Sequence, residues 1–191
     1  VGELPADLPT CEQPVVEEPV DPGDGAATVY DHGHLDVRAG IRDNELVLGI
    51  DSSLVPLRNA VLAGTSEGVL PATMDGTSTA FAGDAGRPYW YFPLAPDGDE
   101  TWPGFSTESI AASELRSTVT FTLTGVTGPG DVALWAGSQG YGPWASTRLG
   151  LPSSFDFPHN THAHNTWAFT AEGVYCLAFA ARAQLADGHW S

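Results

Sequence analysis

Positively charged side chains are scarce in this sequence of 191 residues. Lysine is absent and arginine supplies all seven basic residues, against 24 acidic ones, so the formal net charge at pH 7 is −17. Nucleic acids and anionic membranes bind clustered cations, so the composition disfavours both as partners. Metal cations suit this charge balance better, although surface acidity also serves solubility alone. No apolar run approaches the roughly 20 residues of a membrane helix, so the sequence predicts no transmembrane segment.

Cysteine is limited to Cys11 and Cys176, one near each end of the chain. A disulfide between them ties an extended N-terminal arm to the last core strand and implies an oxidising compartment. Two free thiols are the alternative. Residues 1–27 are rich in Pro, Glu and Asp and lack periodicity, so we expect them to form this arm. Residues 28–191 show no internal repeat, and we expect one domain there.

Motifs of common hydrolases are missing as well. The sequence contains no Gly-x-Ser-x-Gly nucleophile elbow, no His-Glu-x-x-His helix and no phosphate-binding loop. We therefore expect no catalytic residues and a domain that is not an enzyme.

Short runs of β-forming residues occupy most of the chain after residue 27. Turn-forming clusters such as Asp43-Asn44 and Gly128-Pro129-Gly130 separate them. The runs are Thr28–Val37, Glu45–Ile50, Ala60–Ala63, Tyr89–Pro93, Ser117–Leu123, Asp131–Trp135, His162–Thr170 and Gly173–Ala180. Only Ser106–Leu115 has a helix-forming composition, with room for one or two turns. The sequence predicts an all-β fold: a single antiparallel β-sandwich, immunoglobulin-like or jelly-roll-like, with at most one or two short helices.

Histidines are clustered in two short segments, YDHGHLDV and PHNTHAHNTWAFT, which hold five of the six. Side chains at positions i and i+2 of a β-strand point to the same face. His162 therefore projects with His164, and His32 and His34 project with Asp36. Neighbouring strands lie about 4.8 Å apart, so two such pairs on paired or facing strands can converge on one ion. The spacing predicts a metal site that joins the two segments.

The predicted ligand set is rich in imidazole. Its members are His34, Asp36, His162 and His164, with His32 and His159 as further candidates. Imidazoles with one carboxylate suit Zn²⁺, whereas Mn²⁺ favours more oxygen ligands and Cu²⁺ competes on affinity. Asp36 either binds the ion or orients an imidazole in its metal-binding tautomer. The alternative is that these histidines are solvated or hydrogen-bonded to the backbone. No functional role is predicted for His189.

Aromatic residues suggest a different kind of site. Residues 89–92 read Tyr-Trp-Tyr-Phe, and Trp102 precedes Pro103 and Gly104. Exposed aromatic rings stack on sugars in glycan-binding proteins, but burial in a β-sandwich core is their usual role.

Five segments in order resemble one protein family. They are GHLDV from Gly33, FAGDAGRPYWYFP from Phe81, TWPGFST from Thr101, TGVTGPGDVALW from Thr124 and HAHNTWAFTAEGVYCLAF from His162. From about Thr28 to Phe179 the chain resembles the actinobacterial surface-anchored domain found beside metal-type ABC transporters, also called the choice-of-anchor M domain. The most specific part is similar to the family pattern His-x-His-x-Asn-Trp-x-Phe-Thr, with Thr166 at the position of the Asn.

The resemblance implies an extracellular protein, wall- or membrane-anchored in its full-length form. It also implies an accessory role beside an ABC importer whose solute-binding protein is of the zinc/manganese class. The family pattern includes His34, Asp36, His162 and His164 and leaves out His32, His159 and Cys11. Two other functions stay open: a cell-wall module that binds a glycan or a protein and has structural histidines, and an oxidoreductase with a His-rich copper, iron or manganese site.

Overall fold

The computed structural model describes residues 27–74, 76–96, 98–136 and 142–191. Residues 1–26 of the predicted N-terminal arm, with Cys11, one half of the predicted disulfide, lie outside these residues. The described part of the chain is all-β, as the sequence predicts. Its strands are β1 (Thr28–Tyr30), β2 (Gly33–Arg42), β3 (Glu45–Ile50), β4 (Ala60–Leu62), β5 (Ser66–Val69), β6 (Thr73–Met74), β7 (Thr77–Ser78), β8 (Pro88–Phe92), β9 (Thr101–Ser106), β10 (Val119–Thr127), β11 (Val132–Trp135), β12 (Ala145–Ser146), β13 (Ser153–Phe157), β14 (His162–His164), β15 (Thr166–Phe169) and β16 (Cys176–Arg182).

Helical structure in the described ranges is confined to two 3₁₀ turns, Leu57–Asn59 and Ala112–Glu114. The segment Ser106–Leu115, for which one or two helical turns are predicted, contains only the second of them. Ser106 instead ends β9, and its Oγ accepts a 3.2 Å hydrogen bond from the backbone N–H of Glu108. No helix of the described residues is long and apolar enough to cross a membrane.

Three larger sheets build a sandwich-like fold. Their strand orders are β14-β9-β2-β3, β13-β10-β16 and β12-β11-β15-β8-β5, and the pairs β1-β4 and β6-β7 accompany them. Most neighbouring strands are antiparallel, but β2 runs parallel to β9, and β1 runs parallel to β4. Between β2 and β9 the chain passes through β8 of the five-stranded sheet. A parallel pair requires a long crossover connection of this kind.

The main core lies between the inner faces of these sheets. Strand β2 contributes Leu35, Val37 and Ala39 to it. Phe105 of β9 and Phe121 of β10 are fully buried there, with ring centroids 5.3 Å apart. Because side chains alternate between the two faces of a strand, this burial fixes the even-numbered residues of β2 on the opposite, outer face.

A smaller core lies on the other face of the five-stranded sheet. Its buried residues are Leu70, Ala82, Ala133, Trp135 and Ala168. Tyr89 and Tyr91 of β8 stack with ring centroids 4.9 Å apart and pack against this cluster. Trp90 and Phe92 of the same strand pack in the main core. The aromatic run at residues 89–92 is therefore used for packing on both faces of its sheet.

The chain changes sheets at Asn165. The sequence predicts one strand over His162–Thr170, but β14 belongs to the four-stranded sheet and β15 to the five-stranded sheet. Asn165 between them is fully buried, and its Oδ1 accepts a 3.1 Å hydrogen bond from Nε1 of Trp167. This corner places the two histidines of β14 on the sheet that also carries β2.

Candidate metal centre

The predicted ligands meet on the outer face of the four-stranded sheet, where β9 separates β14 from β2. His164 of β14 lies opposite Gly104 of β9 on one side. Asp36 of β2 lies opposite the same glycine on the other side. His162 and His34 are each two residues away along their own strands, so they share this face with them. The register alone therefore brings both pairs toward the surface above Gly104.

Four ligand atoms converge above β9. The Nε2 atom of His34 lies 3.1 Å from Nε2 of His162 and 3.1 Å from Nε2 of His164. The Oδ1 atom of Asp36 lies 3.1 Å from Nε2 of His162 and 3.4 Å from Nε2 of His34. All four side chains offer ligand atoms within 4.8 Å of one another. Ligands about 2.0–2.1 Å from a tetrahedral zinc ion are about 3.3–3.4 Å apart, so the four separations of 3.1–3.4 Å are close to the spacing around one such ion.

The chemistry of these atoms also fits a cation. A neutral imidazole has one N–H group and one nitrogen lone pair, and a carboxylate oxygen only accepts hydrogen bonds. When the imidazole protons are on Nδ1, the three Nε2 lone pairs and the Asp36 oxygen lie together, with the closest atoms 3.1 Å apart. Lone pairs at this distance repel unless a proton or a metal ion lies between them. The group can therefore hold a metal ion.

The centre has a buried base and an exposed rim. The side chain of Asp36 is only 1% exposed, whereas those of His34 and His162 are 38% and 33% exposed. The backbone N–H of Asp36 donates a 3.0 Å hydrogen bond to Oδ1 of Asp51. Solvent therefore reaches the ligand atoms past the two exposed imidazoles, while the carboxylate is buried and the backbone that carries it is held by Asp51.

Trp102 of β9 forms one wall of the centre. Its ring stacks on the imidazole of His164, with centroids 4.2 Å apart and an interplanar angle of 26°. It also contacts the ring of His34 at a centroid distance of 4.9 Å. The tryptophan that the sequence offers as a sugar platform thus packs on two of the predicted ligands.

Burial lowers the pKa of the His164 imidazole. Its neighbours His162 and His34 lower the pKa further, while the backbone of Pro103 and the carboxylate of Asp36 raise it. The Nδ1 atom of His164 is buried and makes no hydrogen bond of normal geometry, and burial is the largest of these effects on its pKa. The lowered pKa keeps this imidazole neutral, which is the form that binds metal.

The absence of a side chain at Gly104 provides the space in which the ligands meet. With β9 between them, the two histidine-bearing strands are about 10 Å apart, so their side chains must lean over the middle strand. A Cβ atom at position 104 would lie 2.7 Å from Oδ1 of Asp36 and 2.8 Å from Nδ1 of His164. Only a residue without a side chain fits between these two groups.

The other histidines lie apart from this group. Nδ1 of His32 is 2.6 Å from Oδ1 of Asp31, and His189 makes the same contact with Asp187 at 2.6 Å. His159 is exposed. Among the described residues, the set that can hold a metal contains none of the three. The structure therefore does not group the further candidates His32 and His159 with the centre; both lie outside the strands, His32 before β2 begins and His159 before β14 begins.

Two neighbours of the centre, Gly104 and Arg38, are not identified by sequence reasoning. Arg38 follows His34 and Asp36 at the same two-residue interval, so strand alternation is the signal that reveals it. Gly104 lies in TWPGFS, a segment that is not predicted as a strand because Pro and Gly are unfavourable inside strands.

The chain was compared with models of protein families, with characterised proteins and with solved structures. None of these comparisons found a match.

Proposed function

We propose that this chain is an extracellular, cell-surface metal-binding domain that captures Zn²⁺ as an accessory to an ABC-type metal importer. The observation that carries the proposal is the convergence of His34, Asp36, His162 and His164. The side chains of Asp36 and His162 meet although they are 126 residues apart in sequence. Solvated histidines have no reason to converge in this way, whereas metal ligands must.

The donor set favours zinc. Three imidazole nitrogens and one carboxylate oxygen match the ligands of Zn²⁺, and four of their separations are close to the spacing of a tetrahedral site. Mn²⁺ favours more oxygen ligands and a higher coordination number, and Cu²⁺ favours a tetragonal arrangement. Both ions remain alternatives. Copper does so in particular because the affinity order alone places it above zinc.

A binding role is favoured over catalysis. Four protein ligands complete a tetrahedral shell, whereas catalytic zinc sites keep a position open for water or substrate. A copper, iron or manganese oxidoreductase requires such a position for its chemistry. A glycan module requires exposed aromatic rings, but Trp90 and Phe92 pack in the main core and Trp102 packs on His164.

The place at the cell surface and the importer partner rest on the resemblance of five segments to the choice-of-anchor M domain. The net charge of −17 supports a cation as the ligand, because an acidic surface raises the local concentration of cations. The partially exposed His34 and His162 leave the ion within reach of an acceptor such as the solute-binding protein of the importer.

Metal analysis of protein purified without a His tag tests the binding role. We expect one zinc ion per chain in the wild type and none in a His162→Ala/His164→Ala double variant. If the wild-type protein contains no metal as purified and binds a saccharide, the result contradicts the proposal and favours the glycan module. A bound redox metal with turnover contradicts it in favour of the oxidoreductase.

Growth of a strain lacking this protein tests the accessory role. We expect slower growth than the parent strain when zinc is limited by a chelator, and normal growth when zinc is restored. Wild-type protein should restore growth under chelation, while the double variant should not. Equal growth of all strains under chelation contradicts the link to metal import without affecting the metal-binding result.

A further inference from the structure

The two oxygens of the Asp36 carboxylate have different neighbours. Oδ1 faces the imidazoles, 3.1 Å from Nε2 of His162 and 3.4 Å from Nε2 of His34. Oδ2 faces Arg38, whose Nη2 atom is 3.7 Å away. The carboxylate therefore presents one oxygen to the centre, while its second oxygen is paired with a cation.

The side chain of Arg38 is held in a position from which it can pair with Oδ2 of Asp36. Its side chain is 16% exposed, and its Nη2 atom also lies 3.4 Å from Oε2 of Glu108. Its Nε atom is buried and has no hydrogen-bond partner. The guanidinium is thus fixed between two carboxylates beside the centre, on the same face of β2 as His34 and Asp36.

The number of oxygens that Asp36 offers decides the coordination number. One oxygen with three imidazoles gives the four-coordinate tetrahedral shell that zinc prefers. Two oxygens from the same carboxylate give a five-coordinate shell richer in oxygen, which moves the site toward the preference of Mn²⁺. Without a partner, Oδ2 is an unpaired charged oxygen on a buried side chain, an unfavourable state that binding to the ion relieves.

We propose that Arg38 is a specificity-determining residue, which keeps Asp36 monodentate by pairing with its Oδ2 and thereby holds the site four-coordinate and selective for zinc over manganese. This inference rests on the proposed metal-binding function. Arg38 does not bind the ion itself; it acts through Asp36 as a positioning residue.

Cobalt substitution tests the inference, because Co²⁺ absorbs visible light strongly in a tetrahedral site and more weakly in a five-coordinate one. We expect the strong spectrum in the wild type and a weaker, shifted one in Arg38→Met. Arg42→Met, at the exposed end of the same strand, is the matched control and should keep the wild-type spectrum. The ratio of Mn²⁺ to Zn²⁺ affinity should rise about 10-fold in Arg38→Met, a magnitude typical of changes around metal ligands, and stay constant in Arg42→Met.

The outcomes separate this inference from the proposed function. An Arg38→Met protein that binds Co²⁺ with an unchanged spectrum and an unchanged metal preference overturns the role of Arg38 while leaving metal binding intact. Wild-type protein that binds neither Co²⁺ nor Zn²⁺ overturns the proposed function itself. If Arg38→Met does not fold, Arg38→Leu removes the same charge and the same N–H donors and gives the same test.

Discussion

Asp36 and His164 approach each other across Gly104, the residue that both of them face on the strand between them. A Cβ atom there would lie 2.7 Å from Oδ1 of the aspartate and 2.8 Å from Nδ1 of the histidine. Distances below 3 Å force one or both ligands away. The size of one residue on β9 therefore controls whether the two histidine-bearing strands can form a common centre.

Gly104→Ala should abolish tight zinc binding, because the added methyl group displaces Asp36 and His164 from their positions. The matched control is Gly125→Ala on β10, where a Cβ atom would have its nearest contact at 3.9 Å, with Cβ of Ala178. Calorimetric titration with Zn²⁺ and circular dichroism of both variants provide the measurement. A folded Gly104→Ala protein with wild-type zinc affinity would show that position 104 does not limit the centre.

Alanine substitutions at the histidines should distinguish ligands from surface residues. We expect His34→Ala, His162→Ala and His164→Ala to lower zinc affinity by more than the roughly 10–100-fold that follows the loss of a residue supporting a ligand. His189→Ala should leave zinc affinity unchanged, because its imidazole contacts Asp187 away from the centre. Competition with a zinc chelator measures all four values. Equal affinities would mean that the histidine pairs are structural and the metal assignment is wrong.

Zinc affinity should fall as the pH decreases through about 6.5, the ordinary pKa of histidine. Protons compete with the ion for Nε2, so each imidazole that must lose a proton contributes up to about 10-fold per pH unit. The lowered pKa of His164 keeps that imidazole neutral below this pH, so its own contribution begins at a lower pH. Titrations between pH 5 and pH 8 provide the measurement. A pH-independent affinity over this range would argue against imidazole ligands.

Asn165→Ala should destabilise the fold by about 1 kcal/mol or more, because it leaves Nε1 of the buried Trp167 without its acceptor. Loss of the Asn165 Nδ2 atom, which is buried and has no partner, offsets part of this effect. Leu149→Ala is the control, since Leu149 is 67% exposed. Urea unfolding of the metal-free proteins gives the free energies. Equal stabilities of the two variants would show that the corner between β14 and β15 does not depend on this hydrogen bond.

The contact between Asn44 and Asp187 should stabilise the protein above pH 4 and not at pH 2. A hydrogen bond from Asn44, followed by bonds from the backbone and side chain of His189, lowers the pKa of Asp187 to about 2. A lowered carboxyl pKa adds stability above its unfolded value of about 3.9, and this stability is lost as the pH falls through the folded value. Asp187→Ala should therefore lower Tm at pH 7 and have little effect at pH 2.

Asn44→Ala is the complementary variant for this contact. It should move the pKa of Asp187 back toward the ordinary value for aspartate, and NMR titration of the carboxyl group measures the shift. A pKa that stays near 2 in Asn44→Ala would assign the effect to His189 alone.

The sequence predicts much of the candidate centre because strand alternation is a local property. Residues two positions apart share a face whichever strands lie beside them, so His162 with His164 and His34 with Asp36 are paired correctly from spacing alone. The same local signal predicts β3 with its observed bounds, Glu45–Ile50. That these four residues bind a metal stays a prediction.

Strand β9 shows what the sequence does not reveal. Pro103 lacks a backbone N–H, and Gly104 has low β-propensity, so Thr101–Ser106 does not have the composition of a central strand. The tertiary structure nevertheless places it between β14 and β2, because Phe105 is fully buried in the main core and its burial outweighs the local preference. Neither the parallel pairing with β2 nor the empty space above Gly104 follows from a local pattern.

The sequence by itself determined the all-β class and the pairing of ligand-type side chains on common strand faces, since both follow from residue type and a two-residue period. Only the tertiary structure decided that the chain changes sheets at Asn165 and that β9 separates the two pairs. It also decided that Arg38 and Gly104 border the ligands. These features depend on contacts between segments more than 30 residues apart, such as Trp135 with Thr166 and Arg38 with Glu108, which no short window of sequence contains.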